Sequence, residues 1–301
     1  MKILVLGSEG FIGGHSVNHF HSKGNEIHGV DFFEKSNHQI FYHQYQLDDP
    51  GCAQVFKTVE FDYCINAAGN GNVNISVTQP EKDFVANTQF TFQILETLRV
   101  YSPRCKYIHI SSAAVYGNPE VLPINETSPI QPVSPYGWHK FMSEQICKEY
   151  FQLYGIQSAI IRPFSVYGPG LKKQIFWDVY MKSFQDSTSI ELWGGGEEAR
   201  DFIYIDDLIS AIDTIIKNSS MEADIYNVAS GQMTFIRDAV AILLQNLDNQ
   251  KIITFNGESH KGNPIKWEAD ISKITSLGFN PMVNLKEGVA KLANWMKIQN
   301  N

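Results

Sequence analysis

The sequence predicts an α/β fold built on a doubly wound parallel sheet, and three observations carry that reading. Up to about residue 165, short apolar runs alternate with stretches of helical spacing, the pattern of a parallel sheet covered by helices. Glycines stand at 7, 10 and 13, between the first apolar run and the helical stretch after it. The second apolar run ends on an acidic residue, Asp31. At 301 residues the chain can bury a sizeable core, as one large domain or as two sharing an interface.

The opening run MKILVLG is too short for a signal segment or a membrane span and leads straight into glycines, so it reads as the first strand. In ILVLGSEGFIGGHSVNHF, Gly7, Gly10 and Gly13 follow that strand and open a helix with the spacing GxxGxxG. A strand, glycine turn and helix in this order let backbone N–H groups approach a pyrophosphate at the helix N-terminus, as in a Rossmann domain. His15 and His19 have helix-face spacing. With no carboxylate or Cys at matching spacing, they read as an exposed helix surface, and no metal is expected.

The second strand, EIHGVD, ends at Asp31, which can accept hydrogen bonds from ribose hydroxyls and would repel a 2′-phosphate, as would Glu9. The cofactor is therefore read as NAD(H) rather than NADP(H), although Asp31 alone is equally an ordinary strand-end residue. YCINAAG, YIHISSA and SAIIRPF supply three further strands. Segment 81–101 carries apolar residues on more than one helical stripe, so it buries two faces, either as a core helix or with one face against another subunit.

Ser134 and Pro135 start the next helix, YGWHKFMSEQICKEYFQLYG, which stops at Gly155. On it Tyr136 and Lys140 lie one turn apart on one face. An ammonium beside a phenol favours the phenolate, which makes a general base for an alcohol; the plainer reading is an ordinary helix start. After residue 165, GPG, GGG and SG punctuate a mixed region. Residues 1–165 thus read as the NAD-binding domain, to which later segments can return, and 166–301 as mainly a smaller substrate lobe.

Hydrophobic content of 43% and charged content of 19% are those of a soluble globular protein. A net charge of −8 without a Lys/Arg cluster argues against nucleic acid or an anionic membrane as partner, so an anionic ligand must meet local positive groups. Cys52, Cys64, Cys105 and Cys147 form no CxxC or zinc spacing, which points to a reduced, cytoplasmic setting.

Through GSEGFIG (7–13), VDFF (30–33), LDD (47–49), INAAG (65–69), VANT (85–88), SSAAVYG (111–117), YGWHK (136–140), RPFSVYGPG (162–170), GGGEEARDFIYIDD (194–207), YNVASG (226–231) and LGFNP (277–281), nearly the whole chain resembles one family. That family is the extended short-chain dehydrogenase/reductases, specifically the nucleotide-sugar epimerase/dehydratases of UDP-galactose 4-epimerase-like type. The resemblance implies that Tyr136 is the catalytic acid/base and that Lys140 holds the ribose and lowers the Tyr pKa. It gives Ser112 the reacting sugar oxygen, with Ser111 a poorer substitute. NAD would lie against Gly7, Gly10, Phe11, Ile12, Gly13, Asp31, Phe32, Ala67, Ala68, Asn87 and Pro163, with Asp48 at the adenine. Arg200 matches a residue that binds the substrate diphosphate. Ser165 replaces a frequent Asn there, and His260 or Lys261 stands where a second Arg is frequent. The family also pairs subunits through two helices, matched here by 81–101 and 136–154, so a homodimer is expected.

Ala113 and Ala114 occupy the places where the sugar 4,6-dehydratases carry the Asp and Glu of TDEVYG, so dehydration is not expected. The expected activity is 4-epimerisation of a nucleotide-diphosphate sugar through a 4-keto intermediate. A 4-ketoreductase acting on a 4-keto-6-deoxysugar with NADH uses the same residues and is the alternative. A non-catalytic NAD-binding regulator or scaffold is the other, and the joint presence of Ser112, Tyr136 and Lys140 speaks against it.

Overall fold

A computed structural model describes residues 1–45, 52–258 and 265–299. In chain order its first half comprises β1 (Lys2–Leu6), α1 (Phe11–Ser22), β2 (Glu26–Asp31), β3 (Phe41–Gln44), α2 (Cys52–Thr58), β4 (Tyr63–Asn66), α3 (Val73–Thr78), α4 (Pro80–Phe84), α5 (Phe90–Tyr101), β5 (Lys106–Ile110), α6 (Pro135–Tyr154) and β6 (Ser158–Pro163). The second half adds β7 (Ser165–Tyr167), α7 (Gln174–Ser183), β8 (Ser189–Leu192), β9 (Ala199–Tyr204), α8 (Ile205–Asn218), β10 (Glu222–Val228), β11 (Met233–Phe235), α9 (Ile236–Asn246), β12 (Ile252–Phe255), α10 (Ser272–Ser276) and α11 (Leu285–Gln299).

Seven strands form one parallel sheet in the order β10-β6-β5-β4-β1-β2-β3, the doubly wound arrangement the sequence predicts. The order reverses between β1 and β4, and ligands of such sheets bind beyond the strand carboxyl ends at that switch point. Both faces are covered. Ile3 and Val5 of β1 pack with α1 and α8, while Leu4 and Leu6 pack with α2, α5 and α6. Alternate residues of one short strand thus serve two hydrophobic cores, which is why the run reads as continuously apolar.

β10 brings residues 222–228 back to the large sheet, whereas β11-β9-β7 and the pair β12-β8 form two small sheets of the second lobe. β3 was not legible. FYHQ is a half-exposed edge strand without an apolar run. Segment 81–101 is not a regular helix throughout: residues 85–89 form a π-helical turn between α4 and α5. The Asn87 carbonyl there accepts bonds from the Thr91 and Ser143 hydroxyls, at 2.7 and 3.1 Å. Helix α6 begins and ends as expected, with Ser134 Oγ accepting from Gly137 N–H and Gly155 at φ 70°.

His15 and His19 are half-buried rather than on an exposed surface, because α1 packs against α8. His15 Nε2 bonds the Pro169 carbonyl at 3.0 Å, and His19 faces Asp213 at 3.6 Å. Among the described residues no helix is long and apolar enough to cross a membrane.

Candidate active site

The carboxyl edge of the sheet collects the residues that the sequence singles out. β1 delivers the glycine turn, β2 Asp31, β4 Ala67 and Ala68, β5 Ser111 and Ser112, and β6 Pro163. Backbone bonds fix their alignment: Gly7 N–H donates to Val30 O, Ala67 N–H to Leu6 O and Ser111 N–H to Ile161 O, at 2.8, 3.0 and 2.8 Å.

Two glycines in the first turn are sterically required. Gly7 has φ 75°, and a Cβ there would lie 2.8 Å from the Ala68 backbone. A Cβ on Gly13 would lie 1.9 Å from Gly7 O, so only glycine lets α1 approach the turn this closely. The first turn of α1 has no side-chain cap, which leaves its N–H groups toward the edge where Phe11 and Ile12 lie half-buried. Asp31 Oδ2 accepts from Glu9 N–H at 2.9 Å and Oδ1 from Phe32 N–H at 2.8 Å. Burial raises the Asp31 pKa against those two bonds. Glu9 is itself held by Ser36 and Asn37, and Phe32 is exposed. Asn87 is buried with its Oδ1 unpartnered, close against Gly69. A tight glycine turn, an uncapped helix N-terminus, a strand-end carboxylate and an orphaned acceptor fit a dinucleotide. Asp48 lies outside the described residues.

Ser112 caps the short 3₁₀ turn Ala113–Tyr116, its Oγ accepting from Ala114 N–H at 3.1 Å. Its hydroxyl also meets Tyr136, on the first turn of α6. Lys140, one turn on, is buried; its Nζ donates to Ile110 O at 2.9 Å and stands 5.9 Å from the Tyr136 ring centroid. Ser112, Tyr136 and Lys140 therefore converge. Ser111 is committed elsewhere, donating to Glu144 Oε1 at 2.6 Å in the core.

The depressed Tyr136 pKa expected from Lys140 is not what the free chain has. Burial pushes Tyr136 up to about 12, outweighing the pull of the Ser112 hydroxyl, while burial brings Lys140 down to about 8. At neutral pH the pair is a phenol beside an ammonium, because Nζ gives its bond to a backbone carbonyl and not to the phenol.

Sequence reasoning missed the polar frame behind this pair. Glu144, on the Lys140 face of α6, binds the buried Arg162 with two bonds of 2.8 and 2.6 Å. Arg162 also donates to Tyr116 Oη, which donates to Asn227 on β10. These residues neighbour Ser112, Pro163 and Lys140, so one buried network fixes three segments of the site; breaking such a pair typically costs about 3–5 kcal/mol. A charged residue inside the apolar run SAIIRPF was the available signal. Asp83 and His139 were missed likewise.

On the other side of the cleft, Ser165 of β7 lies opposite Phe202, two positions along β9 from Arg200. Arg200 is partly buried, donates to Ala199 O and Ile265 O at 2.9 and 3.2 Å, and lies over the Trp267 ring. Asp201 and Asp207, its conceivable ion partners, are taken by backbone N–H groups of residues 230, 231 and 269 and of residues 282 and 283. Asp206 faces His15. Arg200 forms no ion pair among the described residues, and burial lowers its pKa to about 10, so it is charged at neutral pH. The glycine run 194–196 closes on Glu198, which accepts from Gly195 and Gly196 N–H. His260 and Lys261 lie outside the described residues.

The family model of the NAD dependent epimerase/dehydratases matches residues 3–229. A putative UDP-glucose 4-epimerase of Methanocaldococcus jannaschii is 31% identical, over 99% of this chain and 99% of that protein. A UDP-glucuronate 4-epimerase of Thermodesulfobacterium geofontis is 26% identical over 98% and 95%. The crystal structure of UDP-glucuronic acid 4-epimerase from Bacillus cereus, with UDP-glucuronic acid and NAD, superposes with a TM-score of 0.90 at 25% identity, covering 99% of this chain and all of that one.

Proposed function

The chain belongs to the NAD dependent epimerase/dehydratase family, and from that premise we propose that it inverts C4 of a nucleotide-diphosphate sugar, with NAD as its cofactor. The meeting of Ser112, Tyr136 and Lys140 at the sheet's switch point carries the proposal. The glycine turn, Asp31, Ala67, Ala68, Asn87 and Pro163 would hold NAD, which when bound supplies a hydride acceptor and donor for sugar C4.

The chain's own part is the proton and the orientation. Ser112 binds the sugar 4-oxygen and shares its proton with Tyr136. Tyr136 takes that proton as the alcohol becomes a ketone and returns it on the way back. In the chain alone its raised pKa keeps it a phenol, so it acts as a base only when further positive charge gathers beside Lys140. Arg200, free of a carboxylate and charged, is the group for the substrate diphosphate, with Ser165 beside it. The relatives' names point to a uridine nucleotide. Ala113 and Ala114 offer no carboxylate for removing water, which separates the site from dehydration. We further read the protein as cytoplasmic and as a homodimer, with 1–165 serving the cofactor and 166–301 mainly the substrate.

Incubating the purified enzyme with UDP-glucose, UDP-N-acetylglucosamine or UDP-glucuronate should give the C4 epimer of at least one, followed by NMR, without net consumption of NADH. Tyr136→Phe should lower that rate by about 10²–10⁴-fold with NAD retained. A variant with more than half the parent rate would remove Tyr136 from the chemistry. Net oxidation of NADH on a 4-keto sugar, with no epimer formed from any of the three, would make the enzyme a reductase.

A further inference from the structure

Asp83, at the end of α4, has a fully buried carboxylate on which three N–H donors converge. Asn70 Nδ2 and Asn87 Nδ2 reach Oδ1 at 2.6 and 3.1 Å, and His139 Nδ1 reaches Oδ2 at 2.5 Å. Because all three partners donate, the group is held as a carboxylate. Each donor comes from a different part of the site. Asn70 follows the Ala67–Ala68 turn, Asn87 sits in the π-helical turn, and His139 stands between Tyr136 and Lys140 on α6. The His139 backbone is pinned too, its carbonyl accepting from the Thr88 and Ser143 hydroxyls at 3.0 and 2.8 Å.

We propose that Asp83, anchored by His139, is a positioning residue whose buried negative charge sets the protonation of Lys140 and Tyr136. The inference rests on these two being the reacting pair. A negative charge this deep is poorly screened, so it acts over several ångströms on both neighbours in the same sense, favouring their protonated forms. It works against burial at Lys140 and with burial at Tyr136. The result is an ammonium that survives in an apolar setting beside a phenol that keeps its proton until substrate and cofactor are in place.

The other ionisable groups around the pair are accounted for. Glu144 from α6 also favours the ammonium but is matched by Arg162 of β6. Cys147 from α6 is a buried thiol whose pKa burial raises, and His109 from β5 is kept neutral by burial and by Lys140. Asp83 is then the charge near Lys140 with no cationic side chain reported at salt-bridge distance other than His139, whose bond fixes where it points.

The test follows Lys140 itself, independently of turnover. The ¹³Cε resonance absent from Lys140→Met identifies Lys140, and its pH titration is followed in the parent, in Asp83→Asn and in His139→Gln. Asp83→Asn removes the charge, so the midpoint should fall by about half a pH unit or more. His139→Gln keeps both the carboxylate and an N–H donor, so its midpoint should stay with the parent. If Asp83→Asn does not fold, Asp83→Ser removes the same charge with a smaller side chain. An Asp83→Asn midpoint equal to the parent's would make Asp83 a structural clamp and overturn the proposal. So would an equal fall in His139→Gln, or loss of the fold in both Asp83 variants. Failure of the catalytic reading is seen separately, as retained activity in Tyr136→Phe, and leaves the Lys140 titration readable.

Discussion

Lys140 keeps an ammonium where burial disfavours one. Its folded value of about 8 lies below the ordinary 10.5. A group with a depressed folded pKa contributes its full stability above the unfolded pKa and loses it as the pH falls to the folded value. At pH 7 the loss is complete, and at about 1.4 kcal/mol per pH unit it amounts to about 3 kcal/mol. Lys140→Met should therefore abolish activity yet raise the thermal midpoint at pH 7, the gain shrinking between pH 8 and 10.5 and vanishing above. Thermal unfolding by circular dichroism across that range checks the sign. A midpoint that falls at pH 7 would mean that the bond from Nζ to Ile110 O outweighs the burial of the charge. The same residue marks the limit of local reading. YxxxK on a helix face is legible in the sequence, but the burial that sets both pKa values comes from β5, the π-helical turn and Asp83, none of them near it in sequence.

Helix α6 shows what an element adds to its residues. Its start, its stop and the shared face of Tyr136 and Lys140 follow from Ser134, Pro135, Gly155 and helical spacing. Its distance from the turn that carries Ser112 does not. Gly137 sets that distance, since a Cβ there would lie 2.6 Å from Ala114 O and 3.0 Å from Pro132. Gly137→Ala should push α6 away from the Ser112 turn and lower kcat on the order of 10²-fold, as expected for a displacement of about 1 Å between catalytic groups. NAD binding should change little, because the glycine turn lies elsewhere. The check is kcat against NAD affinity, and an unchanged kcat would show that Ser112 follows the helix. The π-helical turn was hidden for a related reason: it depends on Ser143, which is far along the chain from Asn87. Strands with apolar runs were legible because each is buried on two faces, and β3 was not because it has neither face buried.

For the whole molecule the question is what covers the outer faces of α5 and α6. Phe92, Val100 and Tyr101 on α5, and Trp138, Met142, Leu153 and Tyr154 on α6, are all exposed by more than 40%. On α6 the residues 138, 142 and 153 recur at helical spacing, so they share a stripe. The two helices meet along their length: Phe92 packs edge-on to Tyr150, Tyr150 against Tyr154, and Arg99 lies over the Tyr154 ring. A contiguous apolar surface of this kind is uncommon on a monomer and suits an isologous contact, in which each chain presents the same patch to its copy. Stable interfaces bury at least about 1,200 Å² in total, which two such helix pairs can supply. Light scattering at micromolar concentration should then give twice the chain mass of 34.0 kDa. Leu153→Asp with Phe92→Asp should return it to the chain mass with circular dichroism unchanged, since neither side chain is part of the core. A parent protein that scatters as one chain would leave these faces uncovered and remove the homodimer.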